Sequence, residues 1–392
     1  MRHHIVVVLG TRPEAIKQAP VIRALRRRPE RFRVTVISTG QHREMLQQML
    51  PVLGFEPDID LALMRPNQSL SDLTARCLLA VSAELSRLKP DAVIVQGDTT
   101  TAMASGLAAF YLSIPVGHVE AGLRSHSLSE PFPEEANRRV IDLFATWLWT
   151  PTQRAAALLL AEGFASSTIT VTGNTVVDAL LATRRQLKDN PVTISGLPEG
   201  CSSGERPLVL VTCHRRESFG AGIRQIAAAI GVLAGRFPEV DFVYPVHLNP
   251  HVKGPMQRAL GGQANVYLIA PLGYAEFVQL LSCARLVLTD SGGVQEEGPS
   301  FGVPVLVMRG RTERPEGIEA GCAKLVGNDT DLIVAEASAL LGDSVAWRAM
   351  ATANNPYGDG HAGERIAASL EAGLTRQPLP GKSPTWRGLA PL

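Results

Sequence analysis

The sequence has no large excess of charge of either sign. Its 38 Lys and Arg residues stand against 37 Asp and Glu residues, which leaves a formal net charge of +1. A surface field that holds nucleic acid or an anionic membrane needs a clear basic excess. We therefore exclude these partners, and we expect any anionic ligand to be held by a local group of side chains.

Cysteine is scarce as well. The chain has 5 cysteines, scattered and without a C-x-x-C pair: Cys77, Cys201, Cys213, Cys283 and Cys322. An odd number at such spacing argues against both a disulfide framework and a zinc site. We expect a reducing cytoplasm as the compartment, and neither a metal ion nor a cofactor.

Long apolar runs are missing too. No stretch approaches the roughly 20 apolar residues that a membrane-spanning helix needs. The apolar run that follows the basic residues at the N-terminus is too short for a signal peptide, and no small-residue cleavage site follows it. We interpret this run as the first buried strand of a soluble protein.

Short runs of Val, Ile and Leu recur along the first half of the chain, at residues 5–10, 34–39, 92–97, 115–121 and 168–173. Such runs are typical of parallel strands that are buried on both faces. Between them, apolar residues with helical spacing form one stripe: Leu70, Leu73, Cys77, Val81, Leu85 and Leu88. Alternating strands and helices predict an α/β fold.

The same pattern begins again after the polar stretch 188–206, with runs at 207–213, 240–246, 266–270, 285–290, 304–309 and 323–327. A chain of 392 residues fits two domains of about 150–200 residues each. We predict two doubly wound, Rossmann-like domains with a cleft between them. Their predicted bounds are 1–173 and 174–363, with a helix near 364–376 packing back on the first domain and a disordered tail at 377–392.

Ligands of open parallel sheets bind beyond the carboxyl ends of the strands, so the residues after each run are the candidates for a site. After the first run, Thr11 and Glu14 have the spacing of a helix capping box. This local role does not explain Arg12 and Lys17, which are either surface charges or cations at the cleft.

Carboxylates follow the third and fourth runs. Asp98 and the pair Glu134 and Glu135 have a local alternative, since acids are favoured at helix caps and in first helical turns. We favour that role for Glu135. Glu120 directly follows a buried strand, where a carboxylate needs a partner or has a raised pKa. Several carboxylates at one cleft indicate proton transfer.

In the second half, Ser291, Gly292 and Gly293 follow a strand and open a helix. Their backbone N–H groups and the positive helix end predict a diphosphate site, although tight turns use the same residues without a ligand. Either Glu296 or Glu297 could bind ribose hydroxyls or complement the helix dipole.

Cations also follow strands of the second half: His214, Arg215, Arg216, Arg311 and Arg314. Such side chains suit phosphate oxygens, and a solvated turn is the alternative. The first half thus offers mostly acids and the second mostly phosphate-binding groups. This division predicts a nucleotide-activated substrate that spans the cleft.

Taken together, the motifs resemble those of the non-hydrolysing UDP-N-acetylglucosamine 2-epimerases of bacteria over residues 5–370. They are VLGTRPEAIK, GQHREML, QGDTTTAMA, GHVEAGLR, PFPEEANR, GNTVVDALL, HRRESFG, YPVHLNP, LTDSGGVQEE, MRGRTERPEG and NPYGDG. The resemblance implies a GT-B type fold and a homodimer. It also implies reversible epimerisation of UDP-N-acetylglucosamine at carbon 2 to UDP-N-acetylmannosamine, for bacterial surface polysaccharide.

The resemblance also assigns roles to particular residues. The catalytic group comprises Asp98, Glu120, Glu134 and His214. The substrate-binding group comprises Arg12, Lys17, Ser291, Gly292, Gly293, Glu297 on the ribose, and Arg314. A second UDP-N-acetylglucosamine site, which activates such enzymes allosterically, would comprise Gln41, Arg43, Gln68 and His247.

Two features depart from the family pattern: Cys213, where glycine is expected, and the loop 125–130. Glycine is often used where the backbone passes close to a ligand, so Cys213 could alter that approach. Three alternatives remain: a hydrolysing epimerase, a GT-B glycosyltransferase and a non-catalytic UDP-sugar sensor. A dinucleotide dehydrogenase is excluded by the missing G-x-G-x-x-G after the first strand.

Overall fold

The structure is a computed structural model, and it describes residues 2–40, 49–65, 68–198, 200–201, 204–213, 215, 219–246 and 250–376. In this part of the chain the strands form two parallel sheets, one of 7 strands and one of 6. Helices cover both faces of each sheet, because strands that are apolar throughout must be buried on both sides. The two Rossmann-like domains that the strand pattern predicts are confirmed.

The first sheet contains β1 (His3–Leu9), β2 (Phe32–Ser38), β3 (Ile59–Asp60), β4 (Ala92–Gln96), β5 (Val116–Val119), β6 (Trp147–Thr150) and β7 (Ile169–Val171). Their order across the sheet is β3-β2-β1-β4-β5-β6-β7. Its helices are α1 (Arg12–Arg26), α2 (Leu50–Leu53), α3 (Leu70–Leu88), α4 (Thr100–Tyr111), α5 (Glu134–Phe144), α6 (Gln153–Ala161) and α7 (Thr175–Asp189). The strand order reverses between β1 and β4.

The second sheet contains β8 (Leu208–Thr212), β9 (Asp241–Pro245), β10 (Val266–Ile269), β11 (Leu286–Thr289), β12 (Val305–Val307) and β13 (Ala323–Leu325). Their order, β10-β9-β8-β11-β12-β13, repeats that of the first sheet. Its helices are α8 (Ala221–Arg236), α9 (Pro250–Leu260), α10 (Tyr274–Cys283), α11 (Gly292–Glu297), α12 (Pro315–Glu319), α13 (Thr330–Gly342) and α14 (Ser344–Ala351). The reversal falls between β8 and β11.

Each predicted apolar run forms a strand, and the stripe from Leu70 to Leu88 forms α3. The sequence analysis missed two strands. Ile59–Asp60 has only two residues at the sheet edge. Trp147–Thr150 is fully buried but carries two tryptophans in place of a Val and Ile run. The rings of Trp147 and Trp149 stack on each other with centroids 6.2 Å apart.

The chain returns to the first domain at its end. Helix α15 (Ala362–Arg376) packs against α1 and α7. The carboxylate of Asp178 accepts hydrogen bonds from the N–H groups of Ala362 (3.1 Å) and Gly363 (2.8 Å), which satisfies the start of α15. The predicted domain bounds stay a prediction, and the tail 377–392 lies outside the described residues.

Within the described residues, no helix combines the length and the apolar character that crossing a membrane would require.

Candidate active site

The candidate site lies where the strand order of each of the two sheets reverses. Ligands of open α/β sheets bind where the strand order reverses, outside the carboxyl ends of the strands. Those ends are followed by Arg12 after β1, Asp98 after β4 and Ser291 after β11. Side chains from both domains meet here, since Asn174 contacts both Glu120 of the first domain and Glu296 of the second.

The loop after β1 is held by the predicted capping box, which is confirmed. The Glu14 carboxylate accepts hydrogen bonds from the N–H groups of Gly10 (3.1 Å) and Thr11 (2.7 Å). Its other oxygen accepts from the Thr99 hydroxyl at 2.8 Å. Burial raises the pKa of Glu14, and these bonds oppose that rise. Glu14 therefore ties the loop after β1 to the loop that carries Asp98.

Lys17 lies on α1, one turn beyond Glu14, and forms a buried ion pair with Glu120. Its ammonium nitrogen is 2.7 Å and 2.6 Å from the two carboxylate oxygens, and Gln96 donates a further bond to Glu120. Burial raises the pKa of Glu120, but the charge and hydrogen bond of Lys17 together with the charges of Arg314 and Arg138 outweigh burial, so that the pKa is lowered. For Lys17, burial lowers the pKa and the charges of Glu120 and Glu296 raise it, with a net rise. Glu120 is therefore held as a carboxylate.

The backbone of Glu120 lies in the left-handed region, with φ of 68°. This conformation is uncommon outside glycine and costs on the order of 1 kcal/mol or more. The ion pair with Lys17 holds the residue in place. Such local strain is concentrated at functional sites, which agrees with a catalytic role for Glu120.

Asp98 is paired with a cation instead of capping a helix. The N-cap of α4 is Thr99, so the local alternative of Asp98 as the helix cap is excluded, and its assignment to the catalytic group stays a prediction. The Arg138 guanidinium donates to the Asp98 carboxylate at 2.5 Å and 3.1 Å. The amide of Asn137 donates to the Asp98 carbonyl at 2.9 Å. Helix α5 thus fixes both the backbone and the side chain of Asp98.

Glu134 and Glu135 begin α5, as expected, but their surroundings differ. Glu135 is buried and accepts bonds from the Ser125 N–H (2.9 Å) and from Arg139 (2.9 Å). Burial raises the pKa of Glu135 and these bonds outweigh it, so the pKa is lowered. Within the described residues, the Oε2 atom of Glu134 is buried without a hydrogen-bond partner. Glu135 is thus structural, while Glu134 has an oxygen available for a ligand.

In the second domain, α11 begins directly after Ser291, as predicted. Arg314 lies against its first turn, because a Cβ atom on Gly292 would be 3.6 Å from the guanidinium carbon. The Arg314 Nε donates to the buried Glu296 carboxylate at 2.7 Å. Burial lowers the pKa of Arg314, but the charge and hydrogen bond of Glu296 together with the charges of Glu120 and Glu313 outweigh burial and raise it. This second ion pair places a fixed cation at the predicted diphosphate position.

The sequence predicts mostly acids in the first half and mostly phosphate-binding groups in the second, and the structure shows charges of opposite sign paired within each domain. Each domain supplies an ion pair with both signs, Lys17 with Glu120 and Arg314 with Glu296. The physical reason is burial, because a charge that is removed from water near the strand ends needs an opposite charge beside it.

The carboxylate of Glu297 has a raised pKa. Burial and then the charge of Glu296 raise its pKa from 4.5 to about 7, while Lys17 and Arg12 lower it. These influences show that Arg12 and Lys17 of the first domain lie close to Glu297 of the second. The structure thus brings four of the predicted binding residues together: Arg12, Lys17, Glu297 and Arg314.

The raised pKa of Glu297 predicts a pH-dependent stability. Between pH 4.5 and about 7, the folded protein keeps a proton that the unfolded chain releases, so the free energy of unfolding falls as the pH rises. We expect Glu297→Gln to remove this loss, which reaches at most about 3 kcal/mol. Denaturant unfolding of both proteins at pH 5 and pH 8 measures the difference. An equal gain at both pH values, or the same change in the exposed control Glu239→Gln, would contradict the prediction.

His118 helps to organise the site, and the sequence does not predict this role. His118 lies inside the motif GHVEAGLR, and its ring nitrogens are each 2.7 Å from an acceptor, the Asp142 carboxylate and the Gly97 carbonyl. His118 thus fixes Gly97, the residue before Asp98. The motif contained the signal, but only the fold shows what the ring contacts.

Four predicted site residues lie outside the described residues: His214, Gln41, Arg43 and His247. Gln68 is described and half-buried. Its side-chain oxygen accepts from the Arg65 N–H at 3.1 Å and contacts the Arg76 guanidinium. These contacts hold the turn before α3, and the allosteric assignment stays a prediction.

Cys213 packs in the apolar core of the second domain and is 2% exposed. Its carbonyl accepts a hydrogen bond from the Tyr244 hydroxyl at 2.7 Å. The thiol is therefore part of the core beneath the strand end.

The fold and the site define the class of this protein. Two facing Rossmann-like domains with charged groups from both at the strand ends are the arrangement of GT-B type proteins, which act on nucleotide-activated sugars. Within this class, the sequence profile of the UDP-N-acetylglucosamine 2-epimerase family matches residues 23–371. The chain belongs to the UDP-N-acetylglucosamine 2-epimerase family.

Characterised relatives agree with this assignment over nearly the whole chain. The UDP-N-acetylglucosamine 2-epimerase of Escherichia coli K12 is 49% identical over 369 residues, which cover 94% of this chain and 98% of that protein. The UDP-GlcNAc 2-epimerase of Neisseria meningitidis, solved with UDP-GlcNAc bound, is 44% identical with a TM-score of 0.83 and covers 94% of this chain and 99% of that one. A Staphylococcus aureus protein solved with UDP is 40% identical with a TM-score of 0.82 and covers 98% and 100% of the two chains.

Proposed function

We propose that this protein epimerises UDP-N-acetylglucosamine at carbon 2, reversibly, to UDP-N-acetylmannosamine. The proposal is supported by the 49% identity to the E. coli enzyme and by the UDP-GlcNAc bound in the N. meningitidis relative. The observation that carries it is the meeting of Glu120 and Lys17 with Glu296 and Arg314 at one cleft. Such a site offers carboxylates for proton transfer beside cations for a diphosphate.

The chemistry demands an elimination. Carbon 2 carries an acetamido group and no adjacent carbonyl, so its hydrogen is not acidic enough for simple removal and return. In our proposal, the bond between carbon 1 and the UDP oxygen breaks and its electron pair leaves with UDP. A carboxylate takes the proton from carbon 2, and the C–H electron pair becomes the double bond of 2-acetamidoglucal. The reverse steps, with protonation on the other face, give the epimer.

The second domain is proposed to bind the leaving UDP. The backbone N–H groups at Ser291, Gly292 and Gly293 and the guanidinium of Arg314 suit the diphosphate, since fixed donors stabilise developing negative charge without reorganisation. Arg12 and His214 are proposed to contribute there as well. Glu297 is proposed to accept hydrogen bonds from the ribose hydroxyls.

The proton transfers fall to Asp98, Glu120 and Glu134 in this proposal. Glu120 is held ionised by Lys17, and Asp98 is paired with Arg138. Glu134 has a buried oxygen without a partner in the described part of the chain. Because the three carboxylates have different partners, they can differ in protonation at one pH, as acid and base steps on opposite faces require.

Turnover in D2O tests the proposal and separates it from its rivals. We expect deuterium at carbon 2 of UDP-linked N-acetylmannosamine, with the sugar-phosphate bond of the final product intact, as followed by NMR. Free N-acetylmannosamine with UDP would indicate a hydrolysing epimerase, and turnover only with an added acceptor would indicate a glycosyltransferase. A product without solvent deuterium would overturn the elimination, and binding without turnover would indicate a sensor.

We infer that the protein forms a homodimer. A set of exposed apolar side chains on neighbouring helices of the first domain supports this: Leu79 on α3, Phe110 and Tyr111 on α4, and Leu143 on α5. Contiguous exposed apolar surface marks an interaction site.

We also propose activation by UDP-N-acetylglucosamine at a second site with Gln41, Arg43, Gln68 and His247. We also propose a reducing cytoplasm as the compartment, since an odd number of scattered cysteines without a C-x-x-C pair does not fit a disulfide framework.

A further inference from the structure

Asn174 lies at a contact between the two domains. It follows β7 of the first domain and precedes α7, and its N–H donates to the Tyr357 carbonyl at 2.7 Å. Tyr357 belongs to the segment that returns from the second domain to α15. The two passages touch, because a Cβ atom on Gly173 would lie 3.3 Å from the Gly358 Cα atom. Asn174 therefore lies where the segment after β7 meets the segment that leads to α15.

The side-chain amide of Asn174 joins one carboxylate from each domain. Its nitrogen is 2.6 Å from Oε2 of Glu296 and 3.4 Å from Oε1 of Glu120. An amide NH2 group has two donors, so both contacts can form together. Asn174 is 3% exposed, and a buried donor that loses its acceptor costs free energy. The pair of contacts exists only while the two domains are close.

Further hydrogen bonds connect Asn174, through Glu296, to Arg314 at the proposed diphosphate site. Glu296 is also held by Arg314 at 2.7 Å. The Tyr357 hydroxyl donates to the Arg314 carbonyl at 3.2 Å and accepts from the Gly317 N–H at 3.0 Å. A change in the angle between the domains would therefore shift Glu296 and Glu120 relative to each other at Asn174.

We propose that Asn174 is a positioning residue that aligns Glu120 for proton transfer only in the closed cleft, and that it thereby retains UDP and the glycal until readdition. This inference rests on the proposed epimerase function. The proposed reaction requires a closed cleft, because an open cleft would release UDP and 2-acetamidoglucal before they recombine to the product. If Glu120 is aligned only in the closed cleft, elimination does not begin before the cleft can hold both UDP and the glycal.

The alternative role of Asn174 is purely local. Its side-chain oxygen accepts from the Val176 N–H at 3.0 Å and so caps α7. Asp and Ser are comparable N-cap residues, so Asn174→Asp and Asn174→Ser keep this role. Neither keeps the neutral donor toward Glu120 and Glu296. Asn174→Ser is too short to reach them, and Asn174→Asp adds a third carboxylate.

The test compares both variants with the wild type at pH 8. We expect kcat to fall by about tenfold or more in Asn174→Ser and further in Asn174→Asp, with KM within about threefold, since misalignment at the reacting centre lowers kcat. We also expect each variant to release UDP and 2-acetamidoglucal in a larger share of turnovers. A pyruvate kinase coupled assay counts the UDP, and NMR counts the glycal. Asp329→Ser, at the cap of α13, is the matched control and should behave as the wild type.

Two outcomes are decisive. If both Asn174 variants match the wild type in kcat and in released UDP, Asn174 is only a helix cap and the inference is wrong. That result would leave the proposed function intact, because the wild type would still introduce deuterium at carbon 2. If the wild type itself fails in D2O, the proposed function is wrong instead. A fall in kcat with raised UDP release, but without a change in thermal unfolding, supports the inference.

Discussion

Replacing Glu120 by glutamine is expected to lower kcat by about 10²–10⁴-fold, the range in which removal of a general acid or base falls. The variant keeps the shape of the side chain and the donors around it. It removes the carboxylate that Lys17 and Gln96 hold in place beside the cleft. It also leaves Lys17 with the more distant charge of Glu296.

Initial rates of UDP-N-acetylmannosamine formation, with UDP binding measured by calorimetry, check this expectation. UDP affinity should change little, because Glu120 is not among the proposed UDP contacts. Glu84→Gln is the control, since Glu84 pairs with Arg87 on the surface of α3. A Glu120→Gln variant that kept a tenth of the wild-type rate would refute the catalytic role of Glu120.

Replacing Arg314 by methionine is expected to lower the free energy of unfolding by about 3–5 kcal/mol, because it leaves a buried charge without its partner. Glu296 is 4% exposed, and the Arg314 Nε lies 2.7 Å from its carboxylate. Methionine fills most of the volume of the arginine stem, so packing is largely retained. The same change removes a proposed diphosphate contact, and kcat/KM should fall by about 100-fold or more.

The double variant Arg314→Met with Glu296→Gln separates these two effects. It removes both charges, so the stability should return to within about 1–2 kcal/mol of the wild type. The activity should stay low, because the cation is still missing. Denaturant unfolding and initial rates measure the two quantities. A single variant as stable as the wild type, or a double variant with restored activity, would contradict this account of Arg314.

Local features of this protein could be predicted from the sequence because neighbours along the chain determine them. Thr11 and Glu14 form their capping box within one helical turn, and the apolar run before them has only one way to be buried. The turn at Ser291 opens α11 for the same reason. The strand of Trp147 and Trp149 was missed because aromatic residues replace the usual branched aliphatic ones.

Long-range pairing could not be predicted in this way. Asp98 and Arg138 are 40 residues apart, and Lys17 and Glu120 are 103 apart. The sequence shows that charges follow the strands but not which of them meet. For that reason the sequence leaves helix capping open as a local role for Asp98, and it does not show that acids and cations pair within each domain.

The sequence by itself determined the two doubly wound domains and the chemical types at their strand ends. The motifs also determined the family, since so many short strings in one order identify it. Only the tertiary structure decided that Glu120 is held by Lys17, that Glu296 is held by Arg314, and that Asn174 joins the two pairs. The physical reason is that strand and cap formation depend on residues nearby in the chain. A buried charge is stabilised by whichever opposite charge the fold places beside it.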